Sequence, residues 1–201
     1  MLNLSKTLVL SAAALSVFLG FQKDPNERGF QPEFTADAQM KFPENYRNWI
    51  YLTSGFDMSY VKGATEPDHH MFDNVFVNPE AYKVFLETGT WPDKTVIALE
   101  GRMAQSKISI NQRGNTQGEV TAVEVHVKDA KRFNGGWGFF SFDDGAKTSK
   151  MIPQTATCYS CHTAHGAVDT TFTQFYPTLF SIAKAKNTLS EAYKRETAQP
   201  E

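Results

Sequence analysis

The pentapeptide Cys158-Tyr159-Ser160-Cys161-His162 is the segment whose residue types and spacing most directly indicate chemistry. Two residues between the cysteines place both thiols on one turn of backbone, where each can form a thioether to a haem vinyl group. The adjacent imidazole can then bind the haem iron as the proximal ligand. The motif predicts one covalently bound haem c, held by Cys158 and Cys161, with His162 on the iron.

Three other kinds of site could use the same two cysteines, which are the only ones in the chain. A redox dithiol is expected beside a βαβ unit, and no such unit is predicted before the motif. A disulfide across two residues would close almost no loop. A zinc site needs four ligands, so histidines outside the motif would have to complete it. Those histidines are His69, His70, His126 and His165.

The sixth position of the iron decides between an electron carrier and a ligand binder. A methionine thioether would make a six-coordinate carrier, although each methionine is more often a core residue. The candidates are Met58, Met71, Met103 and Met151. A second histidine could instead make a bis-His haem, but His69 and His70 are expected in solvent and His126 at an exposed strand position. His165, three residues after His162, is expected at the haem edge and not on the iron.

Residues 1–21 resemble an export signal, because Lys6 precedes a run of fifteen uncharged residues from Thr7 to Phe21. This run is shorter than the roughly 20 apolar residues that span a bilayer. The sequence leaves open whether the segment is cleaved or kept as an N-terminal anchor. Haem is attached to exported chains on the far side of the membrane, so the signal and the motif together predict a periplasmic protein.

The rest of the chain is divided into a flexible leader at 22–40, a haem domain at 41–190 and a C-terminal tail at 191–201. Periodicity predicts strands at 71–77, 95–103, 120–127 and 137–142, and helices at 43–52, 80–86 and 170–186. Four strands with hairpin-like connections and flanking helices predict an α+β fold with a mainly antiparallel sheet.

The composition excludes one class of partner and indicates the nature of the interior. The 201 residues carry 20 Lys and Arg against 22 Asp and Glu, a formal net charge of -2. Nucleic-acid binding needs a strongly basic surface, so no nucleic-acid partner is expected. Aromatic residues make up 13% of the chain, which predicts that a bound group is enclosed by aromatic rings.

Stretches on both sides of the pentapeptide carry a second, longer pattern. They are FPENYRNWIYL, VFVNPEAYKVF, TGTWPDKTV, VEVHVKDAKRF, GGWGFFSF and TATCYSCHTAHGAVDTTFTQFYPTLF, between residue 42 and about residue 184. Together they resemble the cytochrome P-460 family, which includes hydroxylamine-oxidising cytochromes P-460 and gas-binding cytochromes c′-beta. The resemblance implies a dimeric, β-rich fold with one c-type haem, His162 as the proximal ligand and an open or weakly occupied distal site.

In the catalytic members of that family a lysine is cross-linked to the porphyrin edge, and the resemblance places Leu99 at this position. Leucine cannot supply the nitrogen, and Lys94 and Lys107 are out of register by five and eight residues (99 − 94 and 107 − 99). Asp73 stands where the catalytic relatives have a basic residue. We predict an apolar distal pocket that favours small neutral diatomic ligands. Its candidate residues are Leu99, Phe56, Phe72 and Phe76.

Three functions follow from these predictions. The first is a periplasmic, dimeric c-type haem protein, not an enzyme, that binds nitric oxide, carbon monoxide or another small gas at a five-coordinate iron. The second is an enzyme that oxidises hydroxylamine or nitric oxide and passes electrons to a partner cytochrome. It needs a substitute distal base, and Glu100 is expected on the opposite sheet face from Leu99. The third is a six-coordinate electron carrier.

Overall fold

A computed structural model of the chain describes residues 29–143 and 145–198. The central sheet is built from β2 (Ile50–Phe56), β3 (Met71–Val77), β4 (Val96–Ser106), β5 (Asn115–Lys128) and β6 (Trp137–Asp143). These five strands lie in sequence order, and each pairs antiparallel with the next. Two short strands, β1 (Met40–Lys41) and β7 (Thr148–Ser149), form a separate pair.

Four helices complete the described chain, and with the sheet they confirm the predicted α+β class. They are α1 (Pro79–Thr88), α2 (Thr157–His165), α3 (Pro177–Lys186) and α4 (Glu191–Ala198). Pro79 and Pro177 each stand at the start of a helix, where a missing N–H costs nothing. Gly89 ends α1 in the left-handed conformation, with φ 74°, which glycine adopts without steric cost.

The two faces of the sheet bury different layers. The helix-covered face packs β-strand residues such as Val75, Ile97 and Phe139 against Phe85 of α1 and Leu179 of α3. The opposite face, which we call the N-terminal face, packs against residues that precede β2. Its core contains Met40, Tyr46, Trp49, Ala98, Val125 and Phe140. Because side chains alternate along a strand, β3, β4 and β6 contribute residues to both cores.

Glu100 lies on the N-terminal face, as the sequence predicted. Its carboxylate is 2% exposed and accepts hydrogen bonds from Tyr46, from Arg47 at 2.6 Å and from Arg102. A buried carboxylate keeps its charge at low cost only when such donors surround it. Accordingly, hydrogen bonds from Arg102, Tyr46 and Arg47 outweigh the effect of burial and lower the pKa of Glu100. Glu100 is therefore a structural residue.

The predicted helix at 43–52 is wrong. The structure has a single 3-10 turn at Tyr46–Asn48, followed by strand β2. Tyr46 and Trp49 do share a buried side, so the helical spacing was real over one turn. The next residues, IYLTSGF, are rich in aromatic and β-branched types that favour a strand paired with β3.

The segments at the two ends of the described chain are packed against the rest. Phe30 lies 4.6 Å from Trp49 between ring centroids, and Phe34 lies 6.0 Å from Phe140. Residues 29–40 therefore cover the N-terminal face, where the sequence predicted part of a flexible leader. At the other end, residues 191–198 of the predicted tail form α4, whose Glu196 contacts His165 of α2.

The predicted export signal, and residues 22–28 of the predicted leader, lie outside the described residues. Within 29–143 and 145–198, none of the helices has the length and hydropathy that a bilayer crossing would need.

Candidate functional site

The pentapeptide lies in helix α2, which presents its two thiols on one side. Cys158 and Cys161 are three residues apart, so they lie on the same side of the helix. Both thiols are free and half-buried. Cys158 packs against the core of the helix-covered face, and Cys161 lines a surface opening together with Tyr60 and Phe172.

Helix α2 ends at Gly166, whose N–H donates to the carbonyl of His162 at 2.9 Å. A Cβ atom at residue 166 would lie 2.7 Å from the His162 carbonyl oxygen and 2.8 Å from the backbone of Thr170 and Thr171. Only glycine therefore lets the following chain pass so close to the end of the helix. This close passage places the Thr170 carbonyl beside the His162 ring.

The His162 imidazole is held in one tautomer. Its Nδ1 lies 2.7 Å from the carbonyl oxygen of Thr170, and a carbonyl can only accept, so Nδ1 carries the proton. The lone pair is then on Nε2, which is the atom left for a metal. Burial lowers the pKa of His162, against the opposing effect of this hydrogen bond. The neutral, ligating form is thus favoured.

Aromatic rings surround His162. Phe172 stacks on the imidazole with centroids 4.2 Å apart, and Phe139 lies 4.9 Å away. Phe139 in turn stacks on Tyr159 of the motif at 4.2 Å and on His126 at 3.8 Å. The aromatic enclosure expected from composition is thus found at the motif, although the rings are not those predicted.

His162 opens on a cavity of about 130 Å³ between the helix-covered face and the segment that follows α2. Its apolar walls include Val75, Ile97 and Leu99. The structure therefore brings Leu99 and His162, which are 63 residues apart (162 − 99), to one site. The other lining residues are Tyr60, Glu124, His126, Thr171, Phe172 and Tyr176.

The three predicted distal phenylalanines do not lie at this cavity. Phe76 pairs with Ala98 and belongs to the N-terminal face. Phe72 is four residues earlier on the same strand, so it shares that face. Phe56 is paired with Phe72 in the register, with ring centroids 4.8 Å apart. Leu99 lies on the helix-covered face, because it pairs with Val75. Val75 is next to Phe76 on β3, so its side chain points to the opposite face from Phe72 and Phe76.

Glu124 is an ionisable cavity residue that the sequence analysis did not predict. It pairs with Leu99 across β4 and β5, so its carboxyl shares the cavity with His162. Glu124 is exposed to solvent, yet enough protein surrounds its carboxyl that burial raises the pKa of this group. The charges of Asp73 and Asp143 raise that pKa further. The cavity is therefore not purely apolar.

Asp73 also lies on the helix-covered face, where its register partner is Gly101. Gly101 has no side chain, so nothing on β4 separates Asp73 from the β5 residues on that face. Burial, and next the charge of Asp57, raise the pKa of Asp73. Asp73 is not among the residues that line the cavity, but its charge acts on the Glu124 carboxyl.

His126 is another cavity residue, although an exposed position was expected for it. Its ring lies 4.8 Å from that of His162, with an interplanar angle of 75°. Burial, followed by the neighbouring His162, lowers the pKa of His126 well below its ordinary value. No methionine is among the cavity's lining residues in the described chain. His69 and His70 lie in the loop that follows β2, and His165 pairs with Glu196 at 2.9 Å.

The residues present fit a covalently attached haem. Two free thiols lie on one side of α2, next to an imidazole whose Nε2 is available to iron and whose surroundings are aromatic. Thr170, whose carbonyl holds the His162 ring, also has a buried hydroxyl without a hydrogen-bond partner among the described residues.

Glu124→Gln tests the assignment of a carboxyl with a raised pKa to this cavity. A carboxyl with a raised pKa in the folded state holds its proton while the unfolded chain loses it. Stability therefore falls as the pH rises from 4.5, the ordinary pKa of Glu, until the folded-state pKa is passed. We expect thermal unfolding of Glu124→Gln to lose this fall and its midpoint at neutral pH to exceed that of wild type.

Glu119→Gln is the matched control, because Glu119 is an exposed residue on the same strand. It should keep the wild-type pH dependence. A Glu124→Gln curve parallel to wild type would contradict the placement of Glu124.

Comparison with known proteins finds a matching family model. The family model for Cytochrome P-460 matches residues 43–173, which is more than half of the 201-residue chain and includes the pentapeptide. No curated protein matches the chain.

Proposed function

Because the chain belongs to the cytochrome P-460 family, we propose that it is an exported c-type cytochrome with one haem and a five-coordinate iron that binds nitric oxide or a similar small ligand. Cys158 and Cys161 hold the haem in this proposal, and His162 is its proximal ligand. The observation that carries it is the locked His162 imidazole on a cavity that also contains Leu99.

The bound haem would supply an iron centre able to bind diatomic ligands and to exchange electrons. The chain's own residues determine which ligand is favoured. Val75, Ile97 and Leu99 offer neither hydrogen-bond donors nor charge, so they favour neutral ligands over anions. Leu99 also lacks the amine of the lysine cross-link. Both points support a gas-binding protein.

Glu124 favours a second candidate, the oxidation of hydroxylamine. Oxidising hydroxylamine removes protons as well as electrons, and a carboxylate within the cavity can accept a proton. Glu124 fills the role of distal base that Glu100, on the N-terminal face, cannot fill. In this function the electrons pass to a partner cytochrome.

The periplasmic location, the homodimer and the partner cytochrome belong to the same proposal. Export is supported by the N-terminal sequence and by the cysteine motif, and the dimer by the family resemblance alone.

The deciding experiment is the optical spectrum of the purified ferrous protein, with nitric oxide and with hydroxylamine. A ferrous Soret band at the usual c-type position, nitric oxide binding and no hydroxylamine turnover would support gas binding. Hydroxylamine turnover that is lost in Glu124→Gln would establish the second function. A protein without any haem spectrum would overturn both.

Leu99→Lys should change the haem pocket directly. The substitution puts an amine in the cavity, where it can bind the iron or react with the porphyrin edge. We expect a shifted ferrous Soret band. We also expect nitric oxide affinity to fall by about tenfold or more, which corresponds to a loss of about 1.4 kcal/mol or more in binding free energy.

Leu86→Lys makes the same substitution on α1 at a residue that is 37% exposed, and its spectrum should match wild type. A Leu99→Lys protein with wild-type spectrum and affinity would mean that residue 99 does not face the haem.

A further inference from the structure

A second cluster of metal-ligating side chains lies in the loop between β2 and β3. Asp57, Glu66 and His70 each offer one ligand atom, and the three atoms lie within 4.8 Å of one another. Asp57 and His70 stand at the two ends of the loop and supply a carboxylate and an imidazole, and Glu66 supplies a second carboxylate from its interior. The haem site uses none of them.

The two end residues are held by the strands. The Asp57 N–H donates to the Met71 carbonyl at 3.0 Å, and Asp57 Oδ1 accepts from the Met71 N–H at 2.9 Å. The His70 carbonyl accepts from the N–H of Ala104 on β4 at 2.8 Å, and the His70 ring stacks on Phe56 at 5.7 Å. Asp57 and His70 are thus fixed in position before any ligand binds.

The charges of this cluster are incompletely balanced within the described chain. Asp57 Oδ2 contacts His70 Nδ1 at 2.5 Å, and this is its sole ion pair. Neither Asp57 nor Glu66 has a Lys or Arg within ion-pair distance among those residues. An uncompensated pair of carboxylates attracts a cation more strongly than one already matched by a lysine or arginine.

We propose that Asp57, Glu66 and His70 bind a divalent transition-metal ion of the zinc class, with water at the remaining positions. The imidazole selects such an ion over Ca²⁺ and Mg²⁺, which take oxygen ligands. Because metal ligands must be deprotonated, an ion bound between Asp57 and His70 would replace the hydrogen bond between Asp57 Oδ2 and His70 Nδ1.

The metal would close the loop that carries Tyr60. The Tyr60 ring lies 5.6 Å from that of Phe172, which stacks on His162, and Tyr60 lines the cavity. Joining Glu66 to Asp57 and His70 therefore restrains the loop that reaches the cavity. The metal site itself does not rest on the proposed haem function.

Calorimetric titration of the purified, chelator-treated protein with Zn²⁺ tests the site. We expect one ion per chain in wild type. Glu66→Gln removes a ligand without changing the shape of the side chain. Changes to residues that merely support metal ligands already weaken metal binding by about tenfold or more, so we expect Glu66→Gln to weaken Zn²⁺ binding by more than about tenfold. Asp68→Asn and His69→Ala alter exposed neighbours in the same loop, and both should bind as wild type does.

Trypsin cleavage gives a second measure, because Lys62 is the only Lys or Arg in residues 57–70. Zn²⁺ should slow cleavage after Lys62 in wild type and in His69→Ala, and leave it unchanged in Glu66→Gln. No saturable binding, unchanged binding in Glu66→Gln, or an equal loss in the two control variants would overturn the proposal.

Discussion

Replacing both Cys158 and Cys161 with alanine is expected to abolish haem staining of the denatured protein. Thioethers are the only bonds in the proposed site that survive denaturation, because the His162–iron bond does not hold once the fold is lost. Both thiols are free and lie three residues apart on α2, so each is available for attachment. The measurement is a haem-stained denaturing gel, with wild type giving a stained band and the double variant none.

Ser160→Ala is the matched control for this loss. Ser160 is an exposed residue between the two cysteines, and its hydroxyl donates to the Thr157 carbonyl of its own helix. It should stain as strongly as wild type. A stained band from the double variant would show that the haem is attached through other residues, and an unstained wild-type band would remove covalent haem attachment altogether.

The cysteine motif and the main strands could be predicted from sequence because their signals are local. A C-x-x-C-H pattern needs no knowledge of distant residues, and the strand predicted at 71–77 agrees in both bounds with β3. Strand β2 was missed for the opposite reason. Helical spacing over Tyr46 and Trp49 fits one turn, and only the pairing with β3 shows that the chain straightens at Ile50.

The assignment of phenylalanines to the distal pocket failed because composition does not show which sheet face is covered by which layer. Both faces of this sheet are buried, one under helices and one under residues 29–49. Aromatic residues therefore suit either face, and a one-residue change of register moves a side chain to the other one. Leu99 and Phe76 illustrate this, since both lie in the sheet and face opposite layers.

The sequence of β5 contains part of the information needed to place Glu124 in the cavity. Strand β5 alternates Glu124 and His126 with Val123, Val125 and Val127, which normally indicates a solvent-exposed polar face. In this protein the polar residues face the cavity and the valines face the N-terminal layer. Pairing Leu99 with Glu124 requires the register of two strands, which the sequence of one chain does not provide.

His162→Ala is expected to remove the proximal iron ligand while leaving the haem covalently attached. The gel band should remain, because Cys158 and Cys161 are intact. The optical spectrum should lose the features of a histidine-bound five-coordinate iron, and nitric oxide binding should change with it. Added imidazole should restore part of the spectrum, since the substitution leaves space beside Phe139 and Phe172 where the ring lay.

His165→Ala and His126→Ala make this test specific. His165 is exposed and pairs with Glu196, so its loss should leave the spectrum unchanged. His126 is the neighbouring imidazole that can replace His162, because their ring centroids are 4.8 Å apart. If His162→Ala keeps a wild-type spectrum and His126→Ala alone loses it, then His126 ligates the iron in the wild-type protein. That result would contradict the assignment of the Thr170-bonded imidazole as the proximal ligand, and the cavity would then have to be assigned to the other side of the haem.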